Sequence, residues 1–278
     1  MKTVVITGAS SGFGLDMAKL FLSDGWNVVA TVRDIERRKI ELKDQLELDN
    51  SRLKLLELDV ADSESLQSFV DQVDKLDVLI NNAGFGTYGA LEDISMDQIR
   101  YQMEVNFFGP VALIKGLLPM LRESKGKIIN ISSLMGRYAC PLSSIYSASK
   151  YALEGLSEGL MYELDSFGVD VATIQPGGHR TSFVSSVAWG KDSFSSNSAY
   201  KTQTNGFKGM MEKLSQRDNP PQSITVAKKA LSLANMSHMP RSVVVGSDAK
   251  LVASLQSLLP SKLYQKLMFV SNKKIFGA

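Results

Sequence analysis

Short apolar runs punctuate this chain at residues 4–6, 28–30, 53–58, 78–80, 128–131, 169–174 and 243–245, with longer amphipathic stretches between them. Within the runs polar and apolar residues no longer alternate, as expected of strands buried on both faces. The stretches at residues 15–23, 63–73, 97–121 and 144–167 instead repeat apolar residues with a helical period. Parallel strands need such crossovers. The pattern therefore predicts an α/β protein with a doubly wound, seven-stranded parallel sheet and helices on both faces. Pro110 and Pro119 fall inside the third helical stretch, predicting a kink or a break there.

Two segments depart from this rhythm. Residues 182–222, between the sixth and seventh strands, are rich in Ser, Asn, Gly and Lys and carry Phe183, Trp189, Phe194, Tyr200 and Phe207. So long a connection in a compact domain is usually functional or mobile. Residues 249–278 form a C-terminal extension in which Leu251, Leu255, Leu258, Leu259, Leu263, Leu267 and Met268 recur, with Lys262 and Lys266 among them. This predicts an amphipathic helix interrupted at Pro260. Its expected use is packing on a substrate cleft or a neighbouring subunit, with peripheral membrane contact as the rival.

Composition narrows the picture. A chain of 278 residues suits one domain spanning 1–278. Hydrophobic residues at 44% and charged residues at 22% allow a full core and argue against disorder. A net charge of +2 without a basic stripe gives no reason to expect a nucleic-acid partner. Cys140 is the single cysteine and no Cys/His cluster has metal-ligand spacing, so neither an internal disulfide nor a zinc site is expected. The first strand begins at once, leaving no room for a signal peptide, and no uninterrupted apolar run approaches the roughly 20 residues of a membrane span. A cytoplasmic protein is expected.

Three features suggest redox chemistry on a nucleotide. The first strand runs into Thr7-Gly-Ala-Ser-Ser-Gly-Phe-Gly14, which opens the first helix. A helix N-terminus in that place can receive a pyrophosphate on its free amides. Gly8 would allow the tight turn, Gly12 the close approach of backbone to phosphate, and Gly14 the packing of helix on sheet. Tyr146 and Lys150 are four residues apart in Tyr-Ser-Ala-Ser-Lys, hence on one helix face, and Ser133 stands thirteen residues upstream. A nearby ammonium would favour the phenolate of Tyr146, whose free pKa is about 10, and make it usable as a general acid or base.

Thr7-Gly-x-x-x-Gly-x-Gly14, Asn81-Asn-Ala-Gly84, Asn106 in Val105-Asn-Phe-Phe-Gly109, Ser133 in Ile131-Ser-Ser, Tyr146-x-x-x-Lys150 and Pro176-Gly177 with Thr181 follow one another in order. Over residues 1–246 they closely resemble the short-chain dehydrogenase/reductase superfamily in its single-domain, Rossmann-type branch. The resemblance implies that Tyr146 is the acid/base, that Lys150 lowers its pKa and holds the nicotinamide ribose, and that Ser133 positions the substrate oxygen. Asn106 would support a water-linked proton relay. Cofactor contacts are implied for Gly8, Ser10, Ser11, Gly12, Phe13 and Gly14, for Asp59 and Val60 near the adenine, for Asn82, Ala83 and Gly84, and for Pro176, Gly177 and the carboxamide-binding Thr181.

Cofactor choice turns on the end of the second strand. An acidic side chain there would bind the adenosine ribose hydroxyls and repel a 2′-phosphate. The aligned residue is Val32, followed by Arg33, whose planar cation suits phosphate, with Ser11 able to add a hydroxyl. NADP(H) is therefore expected, with NAD(H) as the alternative should Asp34 take the acidic role. Arg37 and Arg38 are expected at solvated helix positions, with help to the phosphate as the alternative.

The resemblance further implies a substrate lid at 182–222, whose aromatics and Met210-Met211 suit a bulky apolar ketone, aldehyde or alcohol as well as they suit packing on the domain. His179, beside the carboxamide-binding turn, is expected to be an exposed or hydrogen-bonded loop residue, with substrate contact as the alternative. The helix at 144–167 resembles the one through which such proteins form dimers or tetramers. An NADP(H)-dependent carbonyl reductase is the reading, with an NAD-linked hydroxysteroid- or retinol-type dehydrogenase and a non-catalytic dinucleotide-binding regulator as the alternatives.

Overall fold

The computed structural model describes residues 1–43, 45–179, 183, 186–216 and 222–276. Its strands, in chain order, are β1 (Thr3–Ile6), β2 (Asn27–Val32), β3 (Leu53–Glu57), β4 (Val78–Asn81), β5 (Thr87–Tyr88), β6 (Lys127–Ile131), β7 (Asp170–Pro176), β8 (Ala188–Trp189) and β9 (Ser242–Val245). Seven of them form one parallel sheet in the order β3-β2-β1-β4-β6-β7-β9, and these are the seven expected from the apolar runs. β5 and β8 pair with each other, also in parallel, apart from that sheet.

Alternation still operates inside the buried strands. Val4 and Ile6 of β1 enter one core while Val5 enters the other, because successive side chains point to opposite faces. The first core is closed by α1 (Gly12–Ser23) and α8 (Ile224–Asn235), with Phe21 fully buried. The second is closed by α3 (Ser63–Val70), α5 (Gly109–Ser124) and α6 (Ser144–Leu164), with Phe69 fully buried. Each such ring contributes about 1.5–3 kcal/mol by leaving water. The chain leaves β1 toward β2 and β3, then crosses back to β4. The C-terminal ends of β1 and β4 thus flank the switch point where ligands bind in open α/β sheets.

The third helical stretch does not break at its prolines. Residues 96–124 form a continuous rod: α4 (Met96–Met103), one π-helical turn (Glu104–Phe108) and α5. Pro110 follows directly on the π turn, where the backbone hydrogen-bond ladder already changes step, and Pro119 is carried inside α5. By length and composition this rod could cross a membrane, although no uninterrupted apolar run suggested it. Here Leu113, Ile114, Leu117 and Leu121 bury it in the second core.

Other boundaries shift for local reasons. The helix expected to reach residue 73 ends at Val70, and α2 (Ile35–Leu42) is a further crossover, capped by the Asp34 side chain. The 182–222 connection holds β8 and α7 (Lys201–Ser215) rather than only irregular chain. The tail divides at Pro260, as expected, into α9 (Ser247–Leu258) and α10 (Ser261–Phe276).

Candidate active site

The turn between β1 and α1 is held by the side chain before its first glycine. The Thr7 hydroxyl accepts from the backbone N–H groups of Asn82 and Ala83, both at 2.9 Å, and so ties the turn to the end of β4. In return the Asn82 side-chain amide donates to the carbonyls of Thr7 at 2.8 Å and Gly8 at 3.1 Å. Gly8 has a left-handed φ of +67°, and a Cβ on it would lie 2.9 Å from Ala83 Cα. Gly14 is tighter: a Cβ there would meet the Gly8 carbonyl oxygen at 2.3 Å. Ser10, Gly12 and Phe13 are half-buried in this turn, and Ser11 is the exposed residue that precedes α1. The first turn of α1 carries no acidic side chain, leaving its amide end suited to an anion. This turn, packed against the end of β4 at Gly8 and Gly14 and ending on the free amides of α1, fits the pyrophosphate of a dinucleotide.

Tyr146, Lys150 and Asn106 are all buried, and Ser133 is half-buried beside them. The Ser133 hydroxyl lies beside that of Tyr146, where it favours the phenolate. Ser133 Oγ also accepts from the Met135 N–H at 3.1 Å, capping the short 3₁₀ turn Leu134–Gly136. Lys150 Nζ donates to the Ile131 carbonyl at 2.9 Å. A Cβ on Gly84 would lie 3.1 Å from Asn106 Oδ1 and 3.6 Å from Lys150 Nζ, so these three residues converge on one point.

The π turn gives the rod its extra residue beside this point, a frequent device at functional sites. From it the Asn106 amide donates to the Phe85 carbonyl at 2.9 Å and to Ser149 Oγ at 3.1 Å, and its oxygen accepts from the Phe85 N–H at 3.1 Å. Gln102, four residues earlier and fully buried, donates to the Phe85 carbonyl at 2.9 Å and accepts from the Thr87 N–H at 2.6 Å.

Burial dominates the electrostatics. It pushes the Tyr146 hydroxyl up to about 12, with Ser133 pulling the other way. It draws Lys150 down to about 8, opposed by the Glu154 carboxylate one helical turn further along. This corrects the expectation of a phenol lowered by its lysine. Lys150 Nζ stands 5.9 Å from the centre of the Tyr146 ring, and desolvation is the larger effect. Tyr146 therefore holds its proton at neutral pH as a donor.

Around Tyr146 lies an aromatic wall. Tyr88 is 5.6 Å and Phe183 5.7 Å from it between ring centres, and Phe207 of α7 packs on Tyr88 at 5.4 Å. Trp189 joins Tyr88 and Phe207, and Phe194 meets Trp189 edge-on. Met135, Met210 and Met211 pack against the same cluster. Tyr200 is exposed.

The other expected contact residues are spread along the same sheet edge. Arg33 is exposed just past β2, and the Val32 side chain is buried. Asp34 accepts from the Arg37 N–H at 3.0 Å. Arg37 and Arg38 both reach Glu41. Asp59 is half-buried, accepting from the Ala61 N–H at 2.9 Å, and the Val60 side chain lies in the second core. The Pro176-Gly177 turn is gripped from α9, where Asp248 accepts from the Gly178 N–H at 2.7 Å. His179 bridges the Gly177 carbonyl and the Thr225 hydroxyl at 3.0 and 3.1 Å, the hydrogen-bonded loop role expected of it. Thr181 lies outside the described residues.

Several contributors escaped the sequence reading. Thr7 was visible only as a motif letter. Gln102 could have been found from its four-residue spacing to Asn106. Glu154 could have been found as one turn beyond Lys150. The Asp248 grip has no local signal, since it joins residues seventy positions apart.

A parallel sheet with its polar cluster and glycine turn at the strand C-termini defines the class of nucleotide-dependent α/β proteins. Residues 2–191 match the sequence profile of the short chain dehydrogenase family, and the chain belongs to that family. It is 35% identical over 284 residues to the uncharacterized oxidoreductase YusZ of Bacillus subtilis, covering 99% of each chain. It is 40% identical over 185 residues, 65% of each chain, to a 3-ketodihydrosphingosine reductase of Bacteroides thetaiotaomicron. Among solved structures, a short-chain dehydrogenase from Streptomyces avermitilis superposes with a TM-score of 0.80 at 31% identity, covering 99% of this chain and 100% of that one. Structures sharing the fold hold NADP⁺ in one case and NAD in another. The protein is thus an oxidoreductase acting on alcohol or carbonyl groups with a nicotinamide dinucleotide.

Proposed function

We propose that the protein is an NADP(H)-dependent reductase of bulky apolar ketones, run in reverse as a secondary-alcohol dehydrogenase. The observation that carries this reading is the buried Tyr146 hydroxyl, with half-buried Ser133 beside it, in an aromatic and methionine wall. Nicotinamide, when bound, supplies the hydride to the carbonyl carbon. Tyr146 gives its hydroxyl proton to the carbonyl oxygen, so the alcohol forms with hydride and proton both accounted for. Ser133 hydrogen-bonds the same oxygen as negative charge develops there. Lys150 and Asn106 hold the ribose side and the path by which Tyr146 is reprotonated. Phe183 and the wall from β8 and α7 form the substrate lid. The 3-keto lipid reduced by the Bacteroides relative is of the same chemical kind.

Three local features support NADP(H) over NAD(H). Val32 places no carboxylate at the end of β2, Arg33 is exposed there, and the Asp34 carboxylate is engaged as the cap of α2. A second copy of the chain fits the α4–α6 side, where Phe108, Tyr151 and Tyr162 are exposed.

Fluorescence titration with NADPH and NADH side by side, on the wild type and Arg33→Ala, tests the cofactor choice. NADPH should bind more tightly, and Arg33→Ala should weaken it by about tenfold or more while leaving NADH unchanged, the loss expected for one charge-assisted hydrogen bond. Tighter NADH binding by the wild type would overturn the preference. Loss of NADPH absorbance with a panel of apolar ketones tests the substrate class.

A further inference from the structure

The tail helices leave one face unpartnered, and its chemistry is distinctive. The inward side of α10 packs on the domain: Tyr264 and Met268 are half-buried, and the Tyr138 hydroxyl donates to Asn272. α9 is fixed in the same neighbourhood, where Arg137 donates to Gln256 at 3.1 Å. The outward side of α10 carries Leu263, Leu267 and Val270 at 51, 42 and 56% exposure, spaced i, i+4, i+7 as one row. Along the adjacent row, spaced i, i+4, i+7, i+11, stand Lys262, Lys266, Phe269 and Lys273, all exposed. Phe269 is 71% exposed and Leu258, at the end of α9, is 80% exposed. No Asp or Glu follows Asp248 in the sequence, whereas Lys250, Lys262, Lys266, Lys273 and Lys274 do.

We propose that this exposed face of α10, continued by the end of α9, docks on an anionic phospholipid surface. A row of large apolar side chains beside a row of lysines matches the acyl and headgroup layers of such a surface, with the lysine stems lying along the apolar layer and their ammonium groups at the phosphates. A second copy of the chain suits the face less well. A two-fold contact would set its lysines against identical lysines, and the segment offers no carboxylate to pair with them. The proposal is independent of the substrate, although α10 packs beside α7, the helix that carries the Phe207 and Met210 wall of the site.

Flotation of the full-length protein with vesicles of phosphatidylcholine alone, or with phosphatidylglycerol added, tests the surface. Binding should require the anionic lipid and weaken as salt rises. The triple variant Lys262→Glu, Lys266→Glu, Lys273→Glu should lose well over a hundredfold in partitioning, since removing three charges at about fivefold each already costs on the order of a hundredfold. The milder glutamine triple should fall between it and the wild type. Leu263→Ser with Leu267→Ser should lose binding while keeping all three charges. No binding to anionic vesicles, or equal binding to neutral ones, would overturn the proposal. So would variants that leave flotation unchanged but abolish self-association in sedimentation velocity, which would make a second copy the occupant.

Discussion

Replacing Lys150 by methionine should cost activity and yet reveal stability that the wild type forgoes. The Lys150 ammonium is buried, and its pKa falls to about 8 from an ordinary 10.5. Below pH 8 the folded and unfolded chains both carry the proton, and the folded state bears the full burden of a desolvated charge. As pH rises through 8 the folded chain releases the proton while the unfolded chain keeps it until 10.5. The unfolded state then binds more protons, so wild-type stability rises with pH across this window. At about 1.36 kcal/mol per pH unit, the interval from 8 to 10.5 is worth on the order of 3 kcal/mol in full, of which roughly 1 kcal/mol develops between pH 7 and pH 9. Methionine has no proton to lose. Urea unfolding of both proteins at pH 7, 8 and 9, at matched ionic strength, isolates the effect from the other titrating groups, which the pair share. The loss of the bond to the Ile131 carbonyl adds an offset that does not vary with pH. The wild type should gain roughly 1 kcal/mol on the variant from pH 7 to 9. A difference that stays flat, or runs the other way, would refute the claim that burial governs this lysine.

Two further predictions concern the turn and the acid. Gly14→Ala forces a Cβ to within 2.3 Å of the Gly8 carbonyl and 2.6 Å of the Asn82 amide, so α1 or the end of β4 must shift. The cost should be about 1–3 kcal/mol in thermal unfolding, with weakened nucleotide binding; an unchanged midpoint and affinity would show that the close approach is not needed. Tyr146→Phe keeps the ring in its aromatic wall but removes the proton, so turnover should fall by at least ~100-fold with NADPH affinity nearly intact. Near-normal turnover in a steady-state ketone assay would remove Tyr146 from the acid role.

The strands were legible because each is a short run such as Val4-Val5-Ile6, buried on both sides and free of competing signals. The small β5–β8 pair was not, since two residues per strand leave no period to read, and its partners lie a hundred residues apart. The residues of the candidate site could be listed in order from the sequence. Their electrostatics could not. The position of Lys150 four residues after Tyr146 suggests mutual stabilisation, but whether attraction or desolvation prevails depends on water exclusion by β5, α7 and Phe183, which come from distant parts of the chain. The prolines did not mark a break for a different reason: Pro110 falls where the rod passes from its π turn into α5, and the hydrogen-bond ladder already changes step there.

The π turn has a consequence for how the site responds to acidity. Through it, the Gln102 and Asn106 amides meet both the N–H and the carbonyl of Phe85 and the N–H of Thr87, acting on that segment as a neighbouring strand would. Neither amide titrates. The frame that shapes the approach to Lys150 therefore keeps its geometry at every pH at which Lys150 gains or loses its proton, and a pH change can switch the chemistry without reshaping the walls around it.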